Sequence, residues 1–190
     1  MADTVRGIME AMVPELEDYV ARGYFSNGEV SSIIQNRQKF EYCLRRRKAD
    51  KQDFLRYVPC GAGQGRLPRW QGQYGNIIAL KIIHVCRYCE YEWKLEQLRQ
   101  LRRKSKAIAG KRSLADYGIV RRIHFIYDRA TRKFKGDITI WMSWLQFCRE
   151  SNSKRQVSKV VTKALKLHPS APHFWAYAAA WCDYLASFVT

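Results

Sequence analysis

Apolar positions along this 190-residue chain recur mostly at helical spacing. Over residues 1–22, Met9, Met12, Val13, Leu16 and Val20 predict an amphipathic start, and Gly23 is a natural stop. Ser26-Asn27-Gly28-Glu29 then has the Ser-x-x-Glu spacing of a capping box. It predicts a helix with Val30, Ile33, Ile34, Arg37, Phe40 and Leu44 on one stripe, ending in Arg45-Arg46-Arg47-Lys48. Asp53 can cap a further helix beginning Phe54-Leu55-Arg56-Tyr57. The pattern fails over 58–76, where Pro59, Gly61, Gly63, Gly65, Pro68, Gly72 and Gly75 give loop composition. Ile77–Val85 is apolar with no clean period. Helical spacing returns from Cys89 with Tyr91, Trp93, Leu95, Leu98 and Leu101.

Downstream, Asp116 caps a helix carrying Ile119, Val120, Ile123, Ile126, Tyr127 and Ala130. Gly136-Asp137 is a stop followed by a cap, and the next helix carries Ile140, Trp141, Trp144, Leu145 and Phe147. Ser151-Asn152-Ser153 is a turn before Val157, Val160, Val161, Ala164, Leu165 and Leu167. His168-Pro169 ends that helix, and Pro172 opens a last one with Trp175, Ala178, Ala179 and Trp181. Across this stretch the chain echoes itself at 34 residues: Trp141 with Trp175, Ile123 with Val157, Ile126 with Val160, Arg129 with Lys163, Ala130 with Ala164. A period of that length, built on aromatic anchors and small residues, predicts helical hairpins that bury their apolar faces by stacking.

Charge adds a partner class. There are 34 Lys+Arg against 17 Asp+Glu, a net charge of +17. That exceeds what solubility requires of a small domain and favours a polyanionic partner: RNA, DNA or acidic protein. The excess is concentrated at Arg45, Arg46, Arg47 and Lys48, and at Arg99, Arg102, Arg103, Lys104, Lys106, Lys111 and Arg112. These residues are the candidate RNA contacts, set against the alternative of a solvated loop. No RNA-reading module is recognisable, because the aromatic residues lie on helix-packing stripes. Six cysteines without a signal-peptide pattern in Met1–Pro14 predict reduced thiols rather than a disulfide framework. Ile77–Cys86, the most apolar run, is too short to span a membrane and carries Lys81 and His84.

Catalytic, cofactor and metal chemistry find no support. Cys86-x-x-Cys89, near His84 and Cys60, lacks the second pair and the spacing of a zinc site. Gly61-Ala62-Gly63-Gln64-Gly65 lacks the Gly-Lys-Ser/Thr ending of a phosphate loop. His124, His168 and His173 have no Ser, Cys or Asp at a telling spacing. The expectation is a non-enzyme with no cofactor, no metal and no small-molecule substrate.

Trp141-x-x-Trp144-x-x-Phe147 followed by Val160-Val161-x-Lys163-Ala164-Leu165, with Tyr127-Asp128-Arg129-Ala130 before them, resembles the HAT ("half-a-TPR") repeat family. Met12–Asp18, Phe40-Glu41-Tyr42, Asp53–Tyr57 and Ile119–Ile126 are more narrowly similar to the N-terminal part of a family of small-subunit processome proteins associated with U3 small nucleolar RNA. The resemblance implies a nucleolar, nuclear scaffold in 18S ribosomal RNA maturation, with other processome proteins as partners. Contact with U3 small nucleolar RNA or pre-ribosomal RNA would be direct or indirect, and no membrane is involved. It also implies repeat-packing roles for Phe54, Tyr57, Tyr91, Tyr127, Ala130, Trp141, Trp144, Phe147, Ala164, Trp175 and Trp181.

The chain departs from the repeat pattern in places. Cys148 and Cys182 replace a glutamate, and Ala178 replaces an aromatic. Removing 58–88 joins Phe54 and Tyr57 to Tyr91-Glu92 in one repeat helix, so 58–88 reads as an insertion, irregular and poorly packed. The array stops at Thr190, which reads as a truncated or mis-spliced form. The expected fold is all-α: antiparallel HAT/TPR-like hairpins in a short right-handed solenoid. Its parts are an N-terminal helical region (1–57), the Gly/Pro-rich insertion (58–88) and a repeat array (89–190). The alternative function is a direct, sequence-tolerant RNA binder using the basic segments.

Overall fold

The computed structural model describes residues 2–45, 73–106 and 113–186, with side chains for 3–45, 85–106 and 113–182. All regular structure among these residues is helical. In chain order the helices are α1 (Ala2–Glu10), α2 (Val13–Ala21), α3 (Asn27–Arg45), α4 (Gln73–Ser105), α5 (Leu114–Lys133), α6 (Ile138–Glu150), α7 (Lys154–Leu167) and α8 (Pro172–Ala186). None of the described helices is long and apolar enough to cross a membrane. The chain forms two compact units, Met1–Ile123 and His124–Thr190, and α5 contributes residues to both.

In the first unit the amphipathic start resolves into two helices, and Pro14 is the reason. It lies in the first turn of α2, where a missing N–H is harmless. Continuing α1 through it would drive the proline ring against the carbonyl of Glu10. Gly23, at φ +66, closes α2 in the left-handed conformation. The Gly23 N–H donates to the Val20 carbonyl (2.9 Å) and the Tyr24 N–H to that of Tyr19 (2.9 Å). The capping box forms as spaced: the Ser26 N–H donates to Glu29 Oε2 (2.8 Å) and the Glu29 N–H to Ser26 Oγ (3.3 Å). Val5, Met12, Leu16, Tyr19, Phe25, Val30 and Ile33 are buried in this unit.

Helix α4 runs unbroken from 73 to 105, across the boundary expected at 88/89. Within 58–88, residues 73–88 are therefore helical, and Val85 and Tyr88 are buried. Tyr88 stacks on Phe40 of α3 at 4.9 Å between ring centroids, 8° from parallel. Residues 58–72, with Phe54 and Tyr57, lie outside the described residues.

In the second unit α6 and α7 pack across the Ser151–Ser153 turn. Asn152 takes the left-handed position there (φ 51). The Asn152 N–H donates to Arg149 O (3.1 Å) and the Ser153 N–H to Cys148 O (2.9 Å), the same closure that Gly23 gives α2. Asp137 caps α6 through the Thr139 N–H (2.8 Å). Tyr127, Ala130, Trp141, Trp144, Phe147 and Ala164 are all buried. Tyr127 stacks on Trp144 at 6.1 Å, and Trp141 lies 5.9 Å from Trp144.

Trp175 departs from its expected core position: it is 56% exposed, and its indole N–H turns back to the Pro169 carbonyl (2.8 Å). The residue before it, Phe174, is fully buried. Phe174 stands 34 residues after the buried Ile140, so the repeat holds there while the bulk has moved by one position. A helix buries one stripe, and with Phe174 filling it the next residue, about 100° round, faces away. Trp181 is partly exposed, its Nε1 3.4 Å from Ser158 Oγ.

Candidate nucleic-acid interface

Of the basic segment after Tyr91, Arg99, Arg102 and Arg103 are tied into the first unit by carboxylates rather than displayed. Arg99 is 3% exposed. Its guanidinium grips Glu96 with Nε and Nη2 (2.9 and 2.7 Å) and reaches Asp116 Oδ1 with Nη1 (2.7 Å). Arg103 meets the same Asp116 oxygen at 2.9 Å. Arg102 forks onto both Glu29 oxygens (2.9 and 2.6 Å) and donates to the Tyr24 carbonyl (2.8 Å). Lys106 is exposed yet donates to the Gly23 carbonyl at 2.6 Å, the helix C-terminus where a cation is favoured. Lys104 alone of these is exposed with none of these bonds. Arg45 is half-buried. Arg46, Arg47, Lys48, Lys111 and Arg112 lie outside the described residues.

Two carboxylates carry the electrostatic record of this arrangement. Hydrogen bonding from Arg102 and from the Ser26 backbone holds Glu29 down to about 2. Burial alone would raise Asp116, but the Ser113 backbone, Arg103 and Arg99 outweigh it and hold it below the usual carboxylate range. These are charge-assisted bonds, about twice as strong as neutral ones.

A second cluster joins four helices of the same unit. Arg37 of α3, fully buried, donates from Nε and Nη2 to the two oxygens of Glu92 on α4 (2.7 and 2.8 Å). Its Nη2 also reaches Glu15 of α2 at 3.3 Å. The other Glu15 oxygen accepts from Arg122 of α5 at 2.6 Å, and Tyr19 donates to Oε1 at 2.6 Å. Two cations thus meet two carboxylates. Burial would raise Glu15, yet Arg122, Arg37 and the Tyr19 hydroxyl hold it below its ordinary value. Gly118 makes room for this: a Cβ there would lie 2.6 Å from Glu15 Cδ.

Of the helically spaced Tyr91, Trp93, Leu95, Leu98 and Leu101, the first three are half-buried, but Leu98 is 37% and Leu101 63% exposed. The buried stripe is Val85, Tyr88 with Cys89 beside it, Glu92, Glu96 and Arg99. The available signal was spacing: these residues recur every three or four positions and continue an apolar stripe with charges of both signs. Arg37 sat on the apolar stripe of α3 for the same reason.

His124, on α5, is buried. Its Nδ1 accepts from the Trp144 indole N–H (3.0 Å), which leaves the proton on Nε2 facing Ser153 Oγ (3.2 Å). Burial lowers His124 to about 4 and raises the neighbouring Cys148 thiol to about 12. A neutral imidazole used as an acceptor and an un-ionised thiol suit packing. No three His, Cys, Asp or Glu side chains among the described residues are placed to hold a metal ion. Tyr91 is half-buried and meets Asn36 at 3.4 Å.

Residues 9–60, which hold α2 and α3, match the family described as U3 small nucleolar RNA-associated protein 6. The chain is 32% identical over 184 residues to the Schizosaccharomyces pombe protein of that description, covering 97% of this chain and 31% of the relative. Homologs of the same description from Mus musculus and Homo sapiens are each 29% identical over 181 residues, covering 95% of this chain and 25% of theirs. The chain thus spans a third or less of the length of these relatives.

Proposed function

We propose that this chain, which is similar over 97% of its length to the Schizosaccharomyces pombe protein and matches the family over residues 9–60, is a scaffold in small-subunit processome assembly. On this reading it serves 18S ribosomal RNA maturation in the nucleolus, without catalysis of its own. The helical hairpin of α6 and α7, with Tyr127 and Ala130 before it, is the HAT-like packing unit. Its partners are other processome proteins, and it associates with U3 small nucleolar RNA.

The observation that carries the reading is where the charge goes. Arg37, Arg99, Arg102, Arg103 and Arg122 are bound to carboxylates of neighbouring helices, so they fix helix positions instead of forming an open basic groove. A rigid helical stack of this kind presents surfaces to partners. Affinity purification of the tagged chain from nuclear extract tests it, with mass spectrometry for proteins and amplification of U3 RNA. Enrichment of processome proteins that survives ribonuclease is the expected result. Recovery of neither those proteins nor U3 RNA would sink the scaffold reading.

A second reading, direct sequence-tolerant RNA binding, is favoured by the net charge of +17. It requires affinity that falls steeply with salt, as counterion release demands.

A further inference from the structure

We propose that the second unit carries a phosphate-binding cleft for single-stranded RNA, formed by Arg132, Lys135, Lys163 and Lys166 around Trp141. This site lies outside both basic segments prominent in the sequence, and it rests on the reading that the chain meets RNA directly. The cleft has a volume of about 350 Å³, and its charged lining is these four cations and Asp128. Asp128 is shared between Arg132 and Lys163 (3.1 Å to the latter). Lys135 and Lys166 are exposed and lie outside that ion-paired set. α5 and α7 end beside the cleft at Lys133 and Leu167. Their C-termini contribute roughly half a negative charge each. Four cations against one carboxylate and two such termini still leave the cleft positive.

Trp141 supplies the second, independent observation. It lines the cleft, is 2% exposed, and its indole Nε1 has no hydrogen-bond partner. A buried donor without an acceptor is rare and costs about 1–3 kcal/mol. An indole N–H and lysine ammoniums are donors only, so the occupant that satisfies them is rich in acceptors and negative. A phosphodiester meets that description, and lysines contact phosphate as point charges.

The test is fluorescence anisotropy of a labelled uridine dodecamer with the full chain across a salt series. Removing two phosphate contacts with K135Q/K166Q should make the slope of log affinity against log salt shallower by about 1.4, and weaken binding about 25-fold near ~0.1 M salt. The thermal midpoint should not fall, since both lysines are exposed and neutralising them removes only like-charge repulsion. The ¹⁵N indole signal of Trp141, assigned with W141F, should shift as RNA is added to the wild-type chain. Unchanged affinity and slope in K135Q/K166Q would overturn the cleft and leave direct RNA binding standing elsewhere. No binding by the wild-type chain at low salt would overturn both. Displacement of the RNA by polyglutamate of equal charge, with the same Trp141 shift, would reassign the cleft to an acidic peptide and overturn the RNA proposal.

Discussion

Gly118 shows how a single residue can be set by a partner far away in sequence. Glycine inside a helix is about 1 kcal/mol worse than alanine. At this position the missing Cβ is occupied by the Glu15 side chain, whose atoms lie 2.6–2.9 Å from where it would be. Glu15 is held by Arg37, Arg122 and Tyr19 and has little freedom to retreat. Gly118→Ala should therefore lower stability by roughly 1–3 kcal/mol despite its better helix propensity; a rise in the urea midpoint would contradict this. At the other end of the chain, Phe174→Ala should cost roughly 3–5 kcal/mol, whereas Trp175→Ala should cost under about 1. Chemical denaturation of the two variants checks the order. The sequence marks both positions as aromatic, but periodicity defines a stripe only to within a neighbour, and the burial of one over the other is decided by tertiary packing. Most caps and stops, by contrast, are readable: Ser26 with Glu29, Gly23, Asp137 and Asn152 act through bonds to residues two to five positions away, whereas Asp116, expected as a cap, lies within the first turn of α5 and accepts from the Ser113 N–H.

Whole elements were legible where their buried faces are apolar, and α6 and α7 fall almost where the pattern places them. Helix α4 departs from the apolar pattern because its buried face is made of Tyr88, Cys89, Glu92, Glu96 and Arg99, while Leu98 and Leu101 are exposed. Hydrophobicity is a poor guide when charges are buried in matched pairs, since the pairing partner sits on another helix. The same α5 that supplies Arg122 to that cluster supplies His124 to the hairpin, and this separates two pH responses. His124 is held near 4 in the folded chain against about 6.5 unfolded, so the unfolded chain binds the extra proton between those values. Its contribution is complete above pH 6.5, falls as pH drops toward 4, and amounts to on the order of 3 kcal/mol. Glu29 and Glu15, being depressed, contribute fully above about 4.5 and are lost only as pH falls below it, for Glu29 toward about 2. Urea unfolding at pH 7 and pH 5 should therefore show a loss that His124→Asn, which keeps an acceptor for Trp144, largely removes. An equal loss in that variant would mean another group titrates there.

For the molecule as a whole, the question is what the net charge of +17 does once the internal pairs are formed. Among the described residues eight acids, Glu15, Asp18, Glu29, Glu90, Glu92, Glu96, Asp116 and Asp128, each already face one or more Arg or Lys side chains. The pairs around Arg37 and Arg99 are buried, so added salt reaches them weakly. The unpaired excess is cationic and on the surface, as at Lys135 and Lys166, and a like-charged surface repels itself. Screening should thus relieve more repulsion than it removes attraction. The melting temperature should rise as sodium chloride is increased from low concentration to about 0.3 M, where the screening length is near 6 Å. A polyanion should raise it further at low salt, and that increment should shrink as salt is added, because the same cations bind it. A melting temperature that falls with salt would show instead that exposed ion pairs dominate, and the surface excess would then have no claim to be a binding feature.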